Sequence, residues 1–293
     1  MKISLWEALF LAILQGTLEW LPVSSEGQVV LVSTQILKID FSVALALALL
    51  LHGATATVIL IRFRDDFTEM LLVRDNDLIV PTMIATATTA LTAIPLLFLI
   101  EDQWVSLSEK LGSETASGEI ITFVVGISLI ITGAVLKSQT DIPEGERFFP
   151  GLGNTEAALL GFVQGLAVLP GISRSAMTVS FLLYIGLKQQ EALRGSFVVG
   201  FFATMGASML EILLGNVKFR KNEITVASES NNTATVAITT LLLALLVAFV
   251  VGWISMEFLL KMSRELPFWK FCVAFGLVAV ALTIGPFLVD VFS

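Results

Sequence analysis

The chain has 293 residues, 56% of them hydrophobic and only 14% charged. A soluble domain carries roughly 25% charged residues, so this composition excludes a pair of soluble domains and points to a membrane protein. A net charge of −8 leaves no basic surface for nucleic acid. A single cysteine (Cys272) and a single histidine (His52) exclude an internal disulfide framework and a His-rich metal site.

The first predicted element is an apolar stretch over 5–37, broken in its middle. Its start, Met1-Lys2-Ile3-Ser4-Leu5, resembles a signal peptide only briefly. No small-residue cleavage site follows, and the apolar stretch runs into polar residues. Those residues read Gln15-Gly16-Thr17-Leu18-Glu19-Trp20-Leu21-Pro22-Val23-Ser24-Ser25. Apolar stretches near 42–62, 79–100 and 120–137 follow; crossing a bilayer takes about 20 residues. Residues 101–119, with Glu101, Asp102, Glu109, Glu114 and Glu119, read as a solvated external loop.

A second broken stretch over 155–187 carries Gln164-Gly165-Leu166-Ala167-Val168-Leu169-Pro170-Gly171-Ile172-Ser173-Arg174-Ser175. Spans near 195–215, 236–260 and 271–291 complete the chain. Residues 216–235 read as a polar loop containing the glycosylation-type triplet Asn231-Asn232-Thr233.

Both broken stretches run Gln-Gly, a few residues, Leu-Pro, then serines, and each opens one half of the chain. Irregular backbone inside lipid is tolerated only where protein or water surrounds it. The expectation is therefore an all-α, polytopic integral membrane protein with six full spans and two re-entrant helical hairpins. Its first repeat occupies 1–150, with hairpin 5–37, and its second 151–293, with hairpin 155–187; together they form one membrane domain. A hairpin returns to its own side and three spans change sides, so the second repeat is inverted, as in many transporters. Ten basic residues fall on one side and six on the other. The positive-inside rule then places both termini outside, in a plasma or inner membrane.

Polar residues at membrane depth mark functional sites. Glu19 follows Gln15 by one helical turn, which puts both on one face. Ser24, Ser25, Glu26, Gly27 and Gln28 lie in and after the break. A carboxylate at that depth needs a cation, a metal ion or a proton as partner. In the second stretch, Ser173 or Ser175 can cap the helix resuming at about 176, whose positive end favours phosphate. Arg174 adds a bidentate fork for phosphate or carboxylate oxygens, and Thr178 adds a hydroxyl one turn on. The bland alternative is a buried ion pair between Glu19 and Arg174, although burying such a pair costs desolvation. Glu257 reads as a helix-end pair with Lys261. Glu211 either snorkels outward or lines an outer cleft, and His52 reads as a packed helix histidine.

These motifs carry a resemblance. Gln15-x-x-x-Glu19 with Leu-Pro-Val-Ser24-Ser25 and Gly27 resembles the bacitracin-resistance type of undecaprenyl-diphosphate phosphatase. Pro170-Gly171-Ile172-Ser173-Arg174-Ser175-x-x-Thr178 is similar to that family's second signature. So is Leu51-His52-Gly53 followed by Arg62-Phe63-Arg64. The resemblance runs from about residue 5 to 290. It implies a membrane hydrolase that removes the terminal phosphate of a polyprenyl diphosphate and recycles the lipid carrier for cell-envelope synthesis. It also implies a site opening to the outer face and a divalent cation, Mg2+ or Ca2+.

By motif matching, Glu19, Ser25 and Arg174 are catalytic, with Glu19 also a candidate metal ligand. Gln15, Ser24, Gln28, Gly171, Ser173, Ser175 and Thr178 bind substrate. Partners are the lipid substrate and membrane lipids, with a homodimer left open. Two departures stand out. Gln28 occupies the family's histidine position and cannot titrate near neutral pH, so Glu26 or Glu19 becomes the proton-handling group. Residues 200–206 also lack a proline often found there. Competing readings are a lipid-phosphate transporter or flippase, and an inactive lipid-binding homologue.

Overall fold

The structure is a computed structural model. It describes residues 2–21, 24–39, 41–72, 76–111, 114–138, 145–169, 172–213, 217–219, 223–227, 233–262, 269–270, 272–274, 276–278 and 280–281. It is mostly helical. The first broken stretch is two helices, α1 (Leu5–Leu18) and α2 (Ser25–Gln35), followed by α3 (Phe41–Arg62) and the short α4 (Arg64–Leu71). Then come α5 (Asn76–Leu111) and α6 (Glu114–Ser138). The second broken stretch is α7 (Asn154–Gly165), one 3-10 turn (Leu166–Val168) and α8 (Arg174–Tyr184). α9 (Gln189–Leu213), strands β1 (Val217–Phe219), β2 (Glu223–Ala227) and β3 (Thr233–Ala237), and α10 (Ile238–Met262) follow.

Among the described residues four helices are long and apolar enough to cross a membrane: Val43–Arg62, Asn76–Leu99, Gln189–Leu210 and Ile238–Lys261. The apolar part of α6 is shorter, Gly126–Ser138. Most of the stretch expected near 271–291 lies outside the described residues. The molecule is an integral membrane protein.

Two expectations need correction. Residues 101–111 are not a loop but the continuation of α5, and 114–119 open α6. Hydropathy marks where the apolar run ends, and a helix made of good formers carries on past that point. Residues 217–237 contain an antiparallel sheet in the order β1-β2-β3, so the fold is not all-α. Val217 pairs with Val226, and Ile224 with Val236. Alternate residues Val217, Ile224, Val226, Ala234 and Val236 are buried, which is the period-2 pattern of a sheet with one covered face. Ile3 N–H donates to Thr235 O at 3.0 Å. Asn231 and Asn232 lie outside the described residues.

The fold divides into two compact units. One contains α1, α2, α3, the C-terminal part of α9, the sheet and α10. Its core includes Leu11, Ala12, Val29, Val43, Ala44, Leu51, Ala244 and Ala248. Here α1 lies against α10. A Cβ on Gly16 would meet Ala248 O at 2.7 Å and Gly252 N at 2.9 Å, so only glycine permits this approach. Trp20 Nε1 donates to Gly252 O at 2.7 Å, and Ser255 donates to Gly16 O.

The other unit contains α4 to α8 and the N-terminal part of α9. Its core includes Leu78, Ala85, Phe149, Leu160, Leu182 and Val199. Here α7 lies against α5. A Cβ on Gly161 would meet Ala85 O at 2.2 Å, and one on Gly165 would meet Thr92 Cβ at 2.5 Å. Asp66 on α4 accepts from both Nε and Nη2 of Arg194 on α9. Arg147 forms a two-bond pair with Glu156 and holds that carboxyl below its usual range, mainly through the side-chain hydrogen bond.

Candidate active site

The first cluster is built where α1 ends. Glu19 is the C-cap of α1, its N–H bonding to Gln15 O. Beyond it the backbone turns, and Ser24 adopts φ +54° just ahead of α2, a left-handed conformation uncommon for serine. Ser25 is the first residue of α2. All of these side chains are buried: Gln15 0% exposed, Glu19 5%, Ser24 8% and Ser25 7%.

One oxygen gathers this cluster. Glu19 Oε2 accepts from Gln15 Nε2 and from Ser25 Oγ at 2.9 Å. His52 Nε2 lies 3.3 Å from the same atom. The expectation for His52 therefore needs correcting. It is buried in α3, as a packed helix histidine would be, but its ring faces the acid. Its Nδ1 sits 2.7 Å from Ala48 O. Sequence spacing could not place a residue 33 positions away. The signal that could have done so is the rarity of an ionisable group inside a span. Glu26 and Gln28 are half-buried in the first turns of α2, with Gln28 one turn past Ser25.

The second cluster opens α8. Ser173 is its N-cap (φ −78°, ψ 115°), and its Oγ accepts from Ala176 N–H at 3.3 Å. Ser175 Oγ is 3.2 Å from Ser173 Oγ. Arg174 is the first residue of the helix, with its Nη1 buried. Gly200 on α9 leaves the space the guanidinium occupies, since a Cβ there would fall 2.1 Å from Nη1. Thr178 bonds to Arg174 O at 2.8 Å and to Ser196 Oγ, so its hydroxyl ties α8 to α9. Pro170 and Gly171 lie outside the described residues. α9 runs unbroken through 200–206, where the expected family proline is missing.

Glu257 accepts from Arg62 Nε at 2.7 Å rather than pairing with Lys261. Glu211 lies in α9, but its side chain is outside the described residues.

A resident cation can be tested against these groups. Among the described residues no three His, Cys, Asp or Glu side chains cluster as a metal site. Glu19 Oε2 is already approached by the amide N–H of Gln15 and the hydroxyl of Ser25, and hydrogen-bond donors on that oxygen repel a cation. Gln15 Oε1 is buried without a hydrogen-bond partner, but one amide oxygen does not make a site for Mg2+ or Ca2+. The residues do not fit a cation held by Glu19.

The family model of the bacitracin resistance protein BacA matches residues 8–281. The chain belongs to this family. An undecaprenyl-diphosphatase of Methanothrix thermoacetophila is 33% identical over 287 residues, 96% of this chain and 97% of that protein. One of Haloarcula marismortui is 34% identical over 282 residues, covering 92% and 93%. One of Methanopyrus kandleri is 32% identical over 291 residues, covering 97% and 98%.

Proposed function

We propose that this BacA-family chain is an undecaprenyl-diphosphate phosphatase, hydrolysing the terminal phosphate of a polyprenyl diphosphate to recycle the lipid carrier. The observation that carries the reading is the buried 2.9 Å bond from Ser25 Oγ to Glu19 Oε2. A hydroxyl within reach of a base, with that base oriented by a third group, is the arrangement of an activated nucleophile. Ser25 Oγ attacks the terminal phosphorus and its proton passes to Glu19. The bridging P–O bond breaks, and polyprenyl monophosphate leaves. Water then attacks the phosphoserine: the P–Oγ bond breaks, Glu19 returns its proton to Ser25 Oγ, and inorganic phosphate leaves carrying the water's oxygen and protons.

Arg174 and the capped start of α8 hold the diphosphate and spread its charge in the transition state. The role of Arg174 rests on the match to the family's second signature and on the chemistry of an arginine at a capped helix start. A divalent cation, Mg2+ or Ca2+, enters bound to the diphosphate as part of the substrate. Gln15 and Ser24 support Glu19 and Ser25, and Ser173 and Ser175 support Arg174.

We further propose that the pairs α1/α2 and α7/α8 are re-entrant hairpins in two inverted repeats, 1–150 and 151–293. Both termini and the mouth of the site then lie outside. Reciprocal packing supports this: the first hairpin's α1 meets α10 of the second half, and the second hairpin's α7 meets α5 of the first. The same architecture serves transporters, which keeps lipid-phosphate transport as the second reading.

The test is phosphate release by the purified chain from a polyprenyl diphosphate, with and without Mg2+ or Ca2+, beside Arg174→Ala. Release by wild type well above the variant supports the phosphatase. Equal background release from both sinks it, and scrambling of the same lipid in proteoliposomes would then favour transport.

A further inference from the structure

Glu19 is an awkward base to hold still. It is the last ordered turn of α1 before the break, and three side-chain torsions separate its carboxylate from the backbone. Gln15 steadies it from the same helix, four residues back. Ser25 is the group it serves. A further contact comes from a different element, the span α3, through His52.

The imidazole is fixed at both ends. Ala48 O, 2.7 Å from Nδ1, is only an acceptor, so Nδ1 carries a hydrogen. Nε2 faces a carboxylate oxygen at 3.3 Å. The ring is rigid, buried at 7% exposure, and anchored one turn back along α3. It therefore transmits the position of a membrane span to one carboxylate oxygen.

We propose that His52 is the positioning residue for Glu19, holding Oε2 in front of Ser25 Oγ from α3. This rests on the phosphatase reading above. It accounts for an imidazole beside the acid in a chain whose first hairpin carries Gln28 instead. A group misplaced by about 1 Å can cost 10²-fold in rate, so the contact acts on turnover rather than on substrate capture.

Two amides separate the roles of the ring nitrogens. Asn places its amide nitrogen near Nδ1 and can keep the contact with Ala48, but it falls short of Glu19. Gln places its nitrogen near Nε2 and still donates to Glu19. The expected result is that His52→Asn lowers kcat by about 10²-fold with KM within about threefold. His52→Gln should keep kcat within about fivefold of wild type.

The assay is steady-state phosphate release from farnesyl diphosphate, with detergent size-exclusion profiles and melting curves for both variants. Wild-type kcat retained in His52→Asn overturns the proposal. So do equal losses in both variants, a change confined to KM, or loss of the folded species in the Asn variant alone, which would mark a packing role. Wild-type activity no higher than that of Arg174→Ala would instead bring down the phosphatase reading itself.

Discussion

Gly200→Ala tests the second cluster without touching a charged residue. A Cβ at Gly200 would lie 2.1 Å from Arg174 Nη1, 3.0 Å from Cζ and 3.5 Å from Nη2. The guanidinium must therefore retreat by about 1.3 Å to reach the 3.4 Å edge of ordinary contact. It is the far end of a flexible side chain, so the fold can accommodate the move. Alanine also gains roughly 0.5–1 kcal/mol over glycine in a helix interior, and α9 is continuous here. Stability should therefore hold or rise while function falls. A displacement of about 1 Å can cost 10²-fold, and loss of a charge stabiliser outright costs about 10²–10³-fold. Gly200→Ala is expected to lower kcat/KM by about 10²-fold, close to the loss in Arg174→Ala. The double variant should lose no more than Arg174→Ala alone, because both changes act on one group. The assay is phosphate release from a polyprenyl diphosphate by each purified variant. Activity within threefold of wild type in Gly200→Ala, with Arg174→Ala at background, would refute the claim that the packed position of Arg174 matters.

Glu19→Gln keeps the shape but removes the base, and should lower kcat by about 10²–10⁴-fold; a loss under fivefold would place the base elsewhere. Gln28→His should leave turnover within about threefold, because Glu19 already has an imidazole beside it from α3. A tenfold rise would show that Gln28 is a handicap. Gly161→Ala drives a Cβ into Ala85 O at 2.2 Å, backbone that cannot swing aside. It should cost roughly 1–3 kcal/mol or more, seen as a lower Tm in detergent, whereas Gly206→Ala, with open space around it, should not. Glu156 is held low by Arg147, so its contribution is present above its unfolded pKa and lost as pH falls through the lower folded one. Glu156→Gln should therefore reduce Tm at pH 7 and change it less at pH 3.

The spans were legible where the apolar run and the helix coincide. α3 and α10 are apolar over most of their length, and their expected bounds differ from the observed ones by no more than two residues. α5 was cut short in the sequence because its last eleven residues, 101–111, are polar enough to leave a hydropathy window while still helical. The sheet went unseen although Glu223–Ala227 and Thr233–Ala237 alternate in the right period, because short alternating runs are weak signals beside long apolar ones. The break before α8 was legible to within two residues: a serine followed by a helical run is a capping pattern, Ser173 or Ser175 is the expected cap of a helix resuming at about 176, and Ser173 caps one that starts at Arg174. His52 was missed for a different reason. An ionisable group in a span signals function, but that signal does not name the group it faces. Nothing in a linear spacing says which turn of α3 meets the end of α1.

The repeated Gln-Gly pair can now be divided into a packing part and a chemical part. The glycines do the same work in both halves: Gly16 admits α10 and Gly165 admits α5, each at a distance a side chain would forbid. The glutamines have parted. Gln15 gives its amide N–H to Glu19, whereas Gln164 gives its own to Thr89 at 3.0 Å. Four residues on from Gln164 stands Val168, in the 3-10 turn, where the first hairpin has its acid. On the proposed reading, a second carboxylate in that turn would bring like charge toward the diphosphate, while a second arginine beside Glu19 would draw the base into an ion pair. On the proposed phosphatase reading, keeping the glycine and changing the polar residues would hold the helices alike in both halves while one broken stretch handles the proton and the other the phosphate. A Val168→Glu variant that bound and hydrolysed diphosphate as well as wild type would show that this separation of charge is not needed.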